Sequence, residues 1–200
     1  RTMGTKVDPL KDHVSVVGGT SATHVQKTTV AVYKPRGVVS SRQTSEGKTI
    51  AEAFPKYAHL NAVGRLDKES EGLLLLSNDG VVTAVVTSDR HLVEKEYEVT
   101  VRENVLPWQM KKMEEGIMLD GKKTLRARAT KLTPHSFSLT ISEGRTHQIR
   151  RMADVFHLTV ERLVRVRIGA ITIRNLAPGK SRVLTVQEVD ELKNAGRKHK

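Results

Sequence analysis

Two stretches of this 200-residue chain place reactive side chains at spacings that could support chemistry. The first, VGRLDKESEGLLLLSNDG at 63–80, sets Arg65 and Asp67 two residues apart, just ahead of four leucines. Leucines in an unbroken run, bounded by turn residues, read as a strand buried on both faces, and Gly64–Asp67 reads as the end of the strand before it. A carboxylate on such a rigid footing can serve as a nucleophile or in proton transfer. Taken alone, Asp67 is better read as a turn acid bonding nearby backbone N–H groups. The second stretch, ISEGRTHQIRRM at 141–152, gathers Arg145, His147, Arg150 and Arg151 around the start of a helix. From Arg145 to Arg174 there are seven arginines against Asp154 and Glu161. A solvated face normally mixes signs, so this concentration suits bidentate contact with phosphate, with a salt-bridged helix edge as the alternative. In KEYEVTV, 95–101, Tyr97 shares a strand face with Val99 and Val101, which by itself marks a core tyrosine.

The composition narrows the partner. Thirty-four Lys and Arg against 22 Asp and Glu leave a formal charge of +12, which attracts polyanions and makes nucleic acid the leading partner class. Only seven aromatic residues are present, too few for a single-strand stacking platform, so recognition would rest on phosphate and RNA shape with one ring at most on a target base. The chain has no cysteine, which excludes disulfides, thiolate nucleophiles and cysteine-ligated metals and fits a reducing, cytoplasmic setting. The eight histidines show no HExxH spacing. SEGKT at 45–49 lacks the opening glycine of a phosphate loop, since position 42 is Arg42. No apolar run approaches the roughly 20 residues of a membrane helix.

These residues must be positioned by short elements. Strand-like segments are expected at 28–33, 62–66, 73–77, 97–102, 125–131, 137–142 and 160–168. Helices are expected after Asn78-Asp79-Gly80, from Pro107 to a stop at Gly116, and from a Thr146 cap through HQIRRMADVF. Strands outnumber helices without regular alternation, so the fold class is α+β on a mixed, mainly antiparallel sheet flanked by short helices. A boundary is placed at 20–27, after the Gly18-Gly19 pair. The chain opens RTMGTKVD, as expected of a fragment or a processed protein, and its last ten residues, 191–200, read as a basic tail.

KPRGVVSS (34–41), VGRLDKESEGLLLLSNDG (63–80), EKEYEV (94–99), ISEGRTHQIRRM (141–152) and LVRVRIGAITIRNLAPGKSRVLTVQE (163–188) stand in the order found in bacterial-type ribosomal-RNA pseudouridine synthases. The chain resembles that family over 28–190, and GTKVDPLKDHVSVVGG within 1–19 looks like the end of the small S4-like RNA-binding domain that precedes the catalytic one. The resemblance implies isomerisation of a uridine to pseudouridine in ribosomal RNA, with the large subunit favoured and transfer RNA as the alternative. It implies no cofactor, no metal, no membrane partner and a monomer acting in the cytoplasm or an organelle matrix. By that resemblance Asp67 is the essential carboxylate, Arg145 the arginine that orients it and lowers its pKa, and Tyr97 the ring against the uracil. The RNA-contacting set expected around them is Arg65, Lys34, Arg36, Lys95, His147, Arg150, Arg151, Arg165 and Arg167. A silent ribosome-assembly factor on the same scaffold is the competing expectation. Two departures touch the substrate rather than the reaction: Thr146-His147 replaces the usual Asn-Arg, and the glycine turn near Phe156-His157 is missing.

Overall fold

A computed structural model describes residues 26–41, 45–88 and 90–195. The S4-like remnant expected at 1–19, most of the 20–27 linker and the last five residues of the expected basic tail lie outside the described residues. In chain order the strands are β1 (Thr29–Lys34), β2 (Asn61–Val63), β3 (Glu71–Ser77), β4 (Lys95–Val101), β5 (Met118–Leu119), β6 (Lys122–Lys123), β7 (Arg128–Thr133), β8 (Ser136–Ile141), β9 (Val160–Ile168), β10 (Ile171–Thr172) and β11 (Ser181–Val183). The helices are α1 (Ile50–Ala53), α2 (Gly80–Thr87), α3 (Pro107–Glu115), α4 (Gln148–Asp154) and α5 (Val186–Ala195).

The leucine run is β3, and it is covered on both faces. Leu73 and Leu75 pack with Val63, Val82, Val86 and Ile168, while Leu74 and Leu76 pack with Val30, Val32, Ile50 and Phe54. Each such burial contributes about 1.5–3 kcal/mol before entropy is charged against it. The sheet order is β11-β1-β3-β9-β4-β8-β7, with β2 also on β3 and β10 on β9. Only the β3/β9 pair is parallel, so the sheet is mixed and mainly antiparallel, as the sequence pattern implies.

Helix ends follow local chemistry. Asp79 caps α2 by accepting from the Val81 amide at 3.0 Å, and Pro107 and Gly116 (φ 82°) bound α3. Thr49 forms a capping box with Glu52, which is the use the fold makes of the end of SEGKT. Three expectations shift. The α4 helix begins at Gln148 behind a left-handed His147 (φ 51°), so Thr146 is not its cap. Strand β2 stops at Val63 because Gly64 takes φ 77°, which puts Arg65 and Asp67 in a turn instead of on a strand. Helix α5 runs through position 190, where the domain was expected to end, and its Leu192 is fully buried.

At the centre of the sheet Gly72 sits opposite Arg165 with φ 109°, and a side chain there would overlap the Arg165 carbonyl and amide. Gly72→Ala is therefore expected to lower stability by about 2 kcal/mol or more, from backbone strain together with overpacking. Urea unfolding checks this, and wild-type stability would mean that β3 and β9 can part without cost.

Candidate active site

The Asp67 turn is held by its backbone. The Arg65 carbonyl accepts from Arg165 Nη1 (3.2 Å), that of Leu66 from Ser40 Oγ (2.6 Å) and that of Asp67 from the Ser70 amide (3.0 Å). The Lys68 carbonyl accepts from the Gly37 amide (2.8 Å) and Lys34 Nζ (3.4 Å), and that of Glu69 from Arg150 Nη2 (3.1 Å). Ser40 Oγ also accepts from the Leu66 amide at 3.0 Å. Five successive carbonyls thus have donors drawn from four separate parts of the chain, and the turn has little freedom left.

Beside the turn lies a cavity of about 320 Å³, within the range of small-ligand sites. Asp67, Arg65, Lys95, Tyr97, Arg145, His147 and Arg165 all line it. Asp67 is half-buried, and His147 Nε2 stands 3.6 Å from its Oδ1. Tyr97 is 9% exposed and is both a core residue, packed with Leu66 and Leu163, and a wall of the cavity. Arg65 is exposed at the mouth. Among the described residues no group of three or more acidic, histidine or cysteine side chains is placed to hold a metal.

Arg145 lines the cavity with Asp67, but its guanidinium is bonded to other groups. Its Nε donates to Glu143 (3.2 Å), and Nη1 and Nη2 donate to the carbonyls of Lys122 (2.8 Å) and Lys123 (2.6 Å) in the β5–β6 hairpin. Gln148 completes this arrangement, accepting from the Arg145 amide at 3.0 Å and donating to Glu143 at 2.9 Å. A carboxylate two residues away holds the guanidinium, so Asp67 has His147 as its neighbour and no ion pair with Arg145 among the described residues. Glu143 and Gln148 both lie inside the ISEGRTHQIRRM motif, yet their residue types carry no signal for this role.

The expected RNA-contacting set divides. Arg65, Lys95 and His147 face the cavity. Lys34 is fully buried, bonded to the carbonyls of Val38 (2.7 Å) and Pro35 (3.0 Å) as well as Lys68, so it is a clamp behind the turn and cannot meet phosphate. Arg150 likewise ties α4 to the turn through the Glu69 carbonyl, and to β9 through that of Val160. Arg36 pairs with Glu69 (2.9 Å) and Arg151 with Asp120 (2.5 Å), both at the surface. Arg165 and Arg167 part company: Arg167 pairs with Glu96 (2.7 Å) and Glu94 (3.3 Å), whereas Arg165 is 5% exposed under the cavity. Their separation comes from a β-bulge. Strand β4 pairs Glu96 with Arg167 but Tyr97 with Arg165, skipping Val166, and the extra residue turns Arg165 onto the face of Tyr97. Ser40 was missed altogether, since a serine in KPRGVVSS has no sequence signature for bonding a turn 26 residues away.

Comparison with known proteins agrees with this architecture. Residues 28–154 match the family model described as RNA pseudouridylate synthase. The chain is 40% identical over 161 residues to a ribosomal small subunit pseudouridine synthase A of Salmonella typhimurium, covering 78% of this chain and 70% of that protein. It is 34% identical over 170 residues to a ribosomal large subunit pseudouridine synthase B of Bacillus subtilis, covering 81% and 70%. A crystal structure of a pseudouridylate synthase superposes with a TM-score of 0.78 at 34% identity, over 84% of this chain and 74% of that one. An archaeal complex of Nop10 and Cbf5 superposes at 0.54 with 16% identity, over 88% and 56%, a likeness of fold.

Burial of Lys34 generates a pH signature. Burial pushes its ammonium down to about 8, although the charges of Asp67, Glu69 and Glu71 work to raise it. Below that pH both folded and unfolded chains carry the proton, and the cost of burying the charge is fully present. Between about 8 and the ordinary lysine value of 10.5 the unfolded chain holds a proton that the folded one has released, so this group's contribution to stability rises with pH. Relative to Lys34→Met, wild-type stability is expected to rise through that window by at most about 1.4 kcal/mol per pH unit. Chemical denaturation of both proteins at neutral and alkaline pH checks it; a pH-independent difference would contradict it.

Proposed function

The chain belongs to the RNA pseudouridylate synthase family, and from that premise we propose that it isomerises a uridine of ribosomal RNA with Asp67 as the attacking carboxylate and without a cofactor. The enzyme class, an RNA pseudouridine synthase, follows from membership. The observation that carries the residue assignment is the immobilised Asp67 turn opening on a cavity that Tyr97, Arg65, His147 and Arg145 share.

The chemistry needs a carboxylate that reaches the ribose of an extruded nucleotide, because a stacked uridine offers no approach to its glycosidic bond. Asp67, half-exposed on a fixed turn, fits that need. Tyr97 supplies a ring for the uracil. Arg65, exposed at the mouth, is free to meet the RNA backbone, and the surface pairs of Arg36 and Arg151 can exchange carboxylate for phosphate at small cost. For Arg145 to orient Asp67 it has to leave Glu143 and the hairpin carbonyls, an exchange that RNA entering beside the hairpin would favour.

Ribosomal RNA is favoured over transfer RNA by the names of the relatives. Small-subunit RNA is the first target to test, ahead of the large-subunit RNA that the motifs alone favour, because the relative at 40% identity is a small-subunit synthase and the one at 34% a large-subunit synthase. Unmodified small-subunit, large-subunit and transfer RNA, incubated with the protein and probed with carbodiimide, should show a new reverse-transcription stop in ribosomal RNA. Stops in transfer RNA alone would redirect the substrate, and stops in none would contradict the proposal.

A further inference from the structure

Arg165 is a buried cation without an anion. It is 5% exposed, and among the described residues its guanidinium forms no ion pair with any carboxylate. Its donors go to neutral groups: Nε to the Leu73 carbonyl (2.7 Å), and Nη1 to the Arg65 carbonyl (3.2 Å) and the Tyr97 hydroxyl (3.5 Å). Nη2 is buried with no acceptor at all. Its Cζ lies 6.0 Å from the centre of the Tyr97 ring. Buried charges are ordinarily paired, because removal from water costs several kcal/mol that only a counter-charge or a full set of hydrogen bonds offsets. The bulge in β9 delivers Arg165 to this place, and Gly72 admits its backbone against β3. A second buried cation, Lys34, is close enough for Arg165 to depress its proton affinity. The floor of the site therefore holds two buried cations, neither of them in an ion pair among the described residues, with Asp67, Glu69 and Glu71 acting on Lys34 from the turn and the start of β3.

We propose that Arg165 is the counter-charge for the uracil anion formed when the glycosidic bond breaks, an inference that rests on the isomerase reading above. When the bond from C1′ to N1 breaks, its electron pair goes to N1 and spreads over O2 and O4, while an oxygen of Asp67 bonds to C1′. After the base turns, C5 attacks C1′, the carboxylate departs with the electrons of its bond, C5 gives up its proton and N1 gains one. Between those steps the uracil is an anion against Tyr97, and the Arg165 charge acts on it across that ring in a site of low dielectric. The unpaired Nη2 gives the guanidinium a donor still unspent.

The test compares wild type with Arg165→Gln, which removes the charge, and Arg165→Lys, which keeps it but loses the planar fork. Single-turnover rates are measured on substrate RNA carrying either uridine or 5-fluorouridine, whose base departs more readily as an anion. With an active wild type, Arg165→Gln is expected to lose about 100-fold in rate on uridine while RNA affinity stays within about threefold, and Arg165→Lys to recover about tenfold of the loss. The deficit of Arg165→Gln should shrink about tenfold on the fluorinated base. Equal deficits on both bases, or a lysine variant as slow as the glutamine one, would reduce Arg165 to a structural strut and overturn the proposal. A wild type that makes no pseudouridine would instead overturn the isomerase reading. Should the variants fail to fold, free bases bound to the wild type decide: 5-nitrouracil, an anion at neutral pH, should bind about tenfold more tightly than neutral uracil by ligand-observed NMR. Equal affinity would overturn the proposal.

Discussion

Five successive carbonyls, Arg65 through Glu69, each meet a donor, and the rest of the site depends on that constraint. The donors come from β9, from the loop after β1, from the turn itself and from α4, so the turn cannot move without loosening the elements around it. In the proposed mechanism the Asp67 carboxylate has to meet one ribose carbon and gains from this, because misplacement by about an ångström can cost a hundredfold in rate. The leucine strand contributes as the part of the sheet that is sealed on both faces, directly after the turn. Its burial supplies the stability that lets Lys34, Arg150 and Arg165 spend their donors on the turn.

Charge is arranged in depth. Outside, Arg36, Arg151 and Arg65 are exposed or paired at the surface, where an ion pair costs little to break. Inside, Lys34 and Arg165 lie beneath the turn with carbonyls for partners. On the proposed reading, two functions draw on one basic composition: attraction of a polyanion at the surface and a counter-charge beneath the reacting base. The β4/β9 bulge separates them, sending Arg167 to Glu94 and Glu96 and Arg165 to Tyr97.

Much of this is legible in the residues themselves. The buried strand 73–76, the bounds of β9, the cap at Asp79 and the stop at Gly116 follow from periodicity and from turn and cap chemistry. Elements of two to four residues, such as β5, β6, β10 and α1, are too short to carry a period. Strand β7 begins three residues later than its apolar pattern because Glu143 takes the Leu125 amide out of the ladder. In the site, the residues lining the cavity are the ones whose motifs mark them, whereas the depth of the basic residues is hidden. Lys34, Arg150 and Arg165 look like phosphate contacts because nothing local says that a lysine or arginine will be buried, or in the case of Arg150 half-buried, with its donors on carbonyls. A bulge leaves no mark in a single sequence, so the parting of Arg165 from Arg167 is visible only in the strand register.

In the proposed mechanism everything rests on the fixed carboxylate of Asp67 performing the isomerisation. The most direct measurement is tritium release from ribosomal RNA labelled at uridine C5, with wild type and Asp67→Asn side by side. The expected result is release by the wild type and a loss of at least about a thousandfold in the variant, with RNA binding retained. Comparable release by both proteins would contradict it.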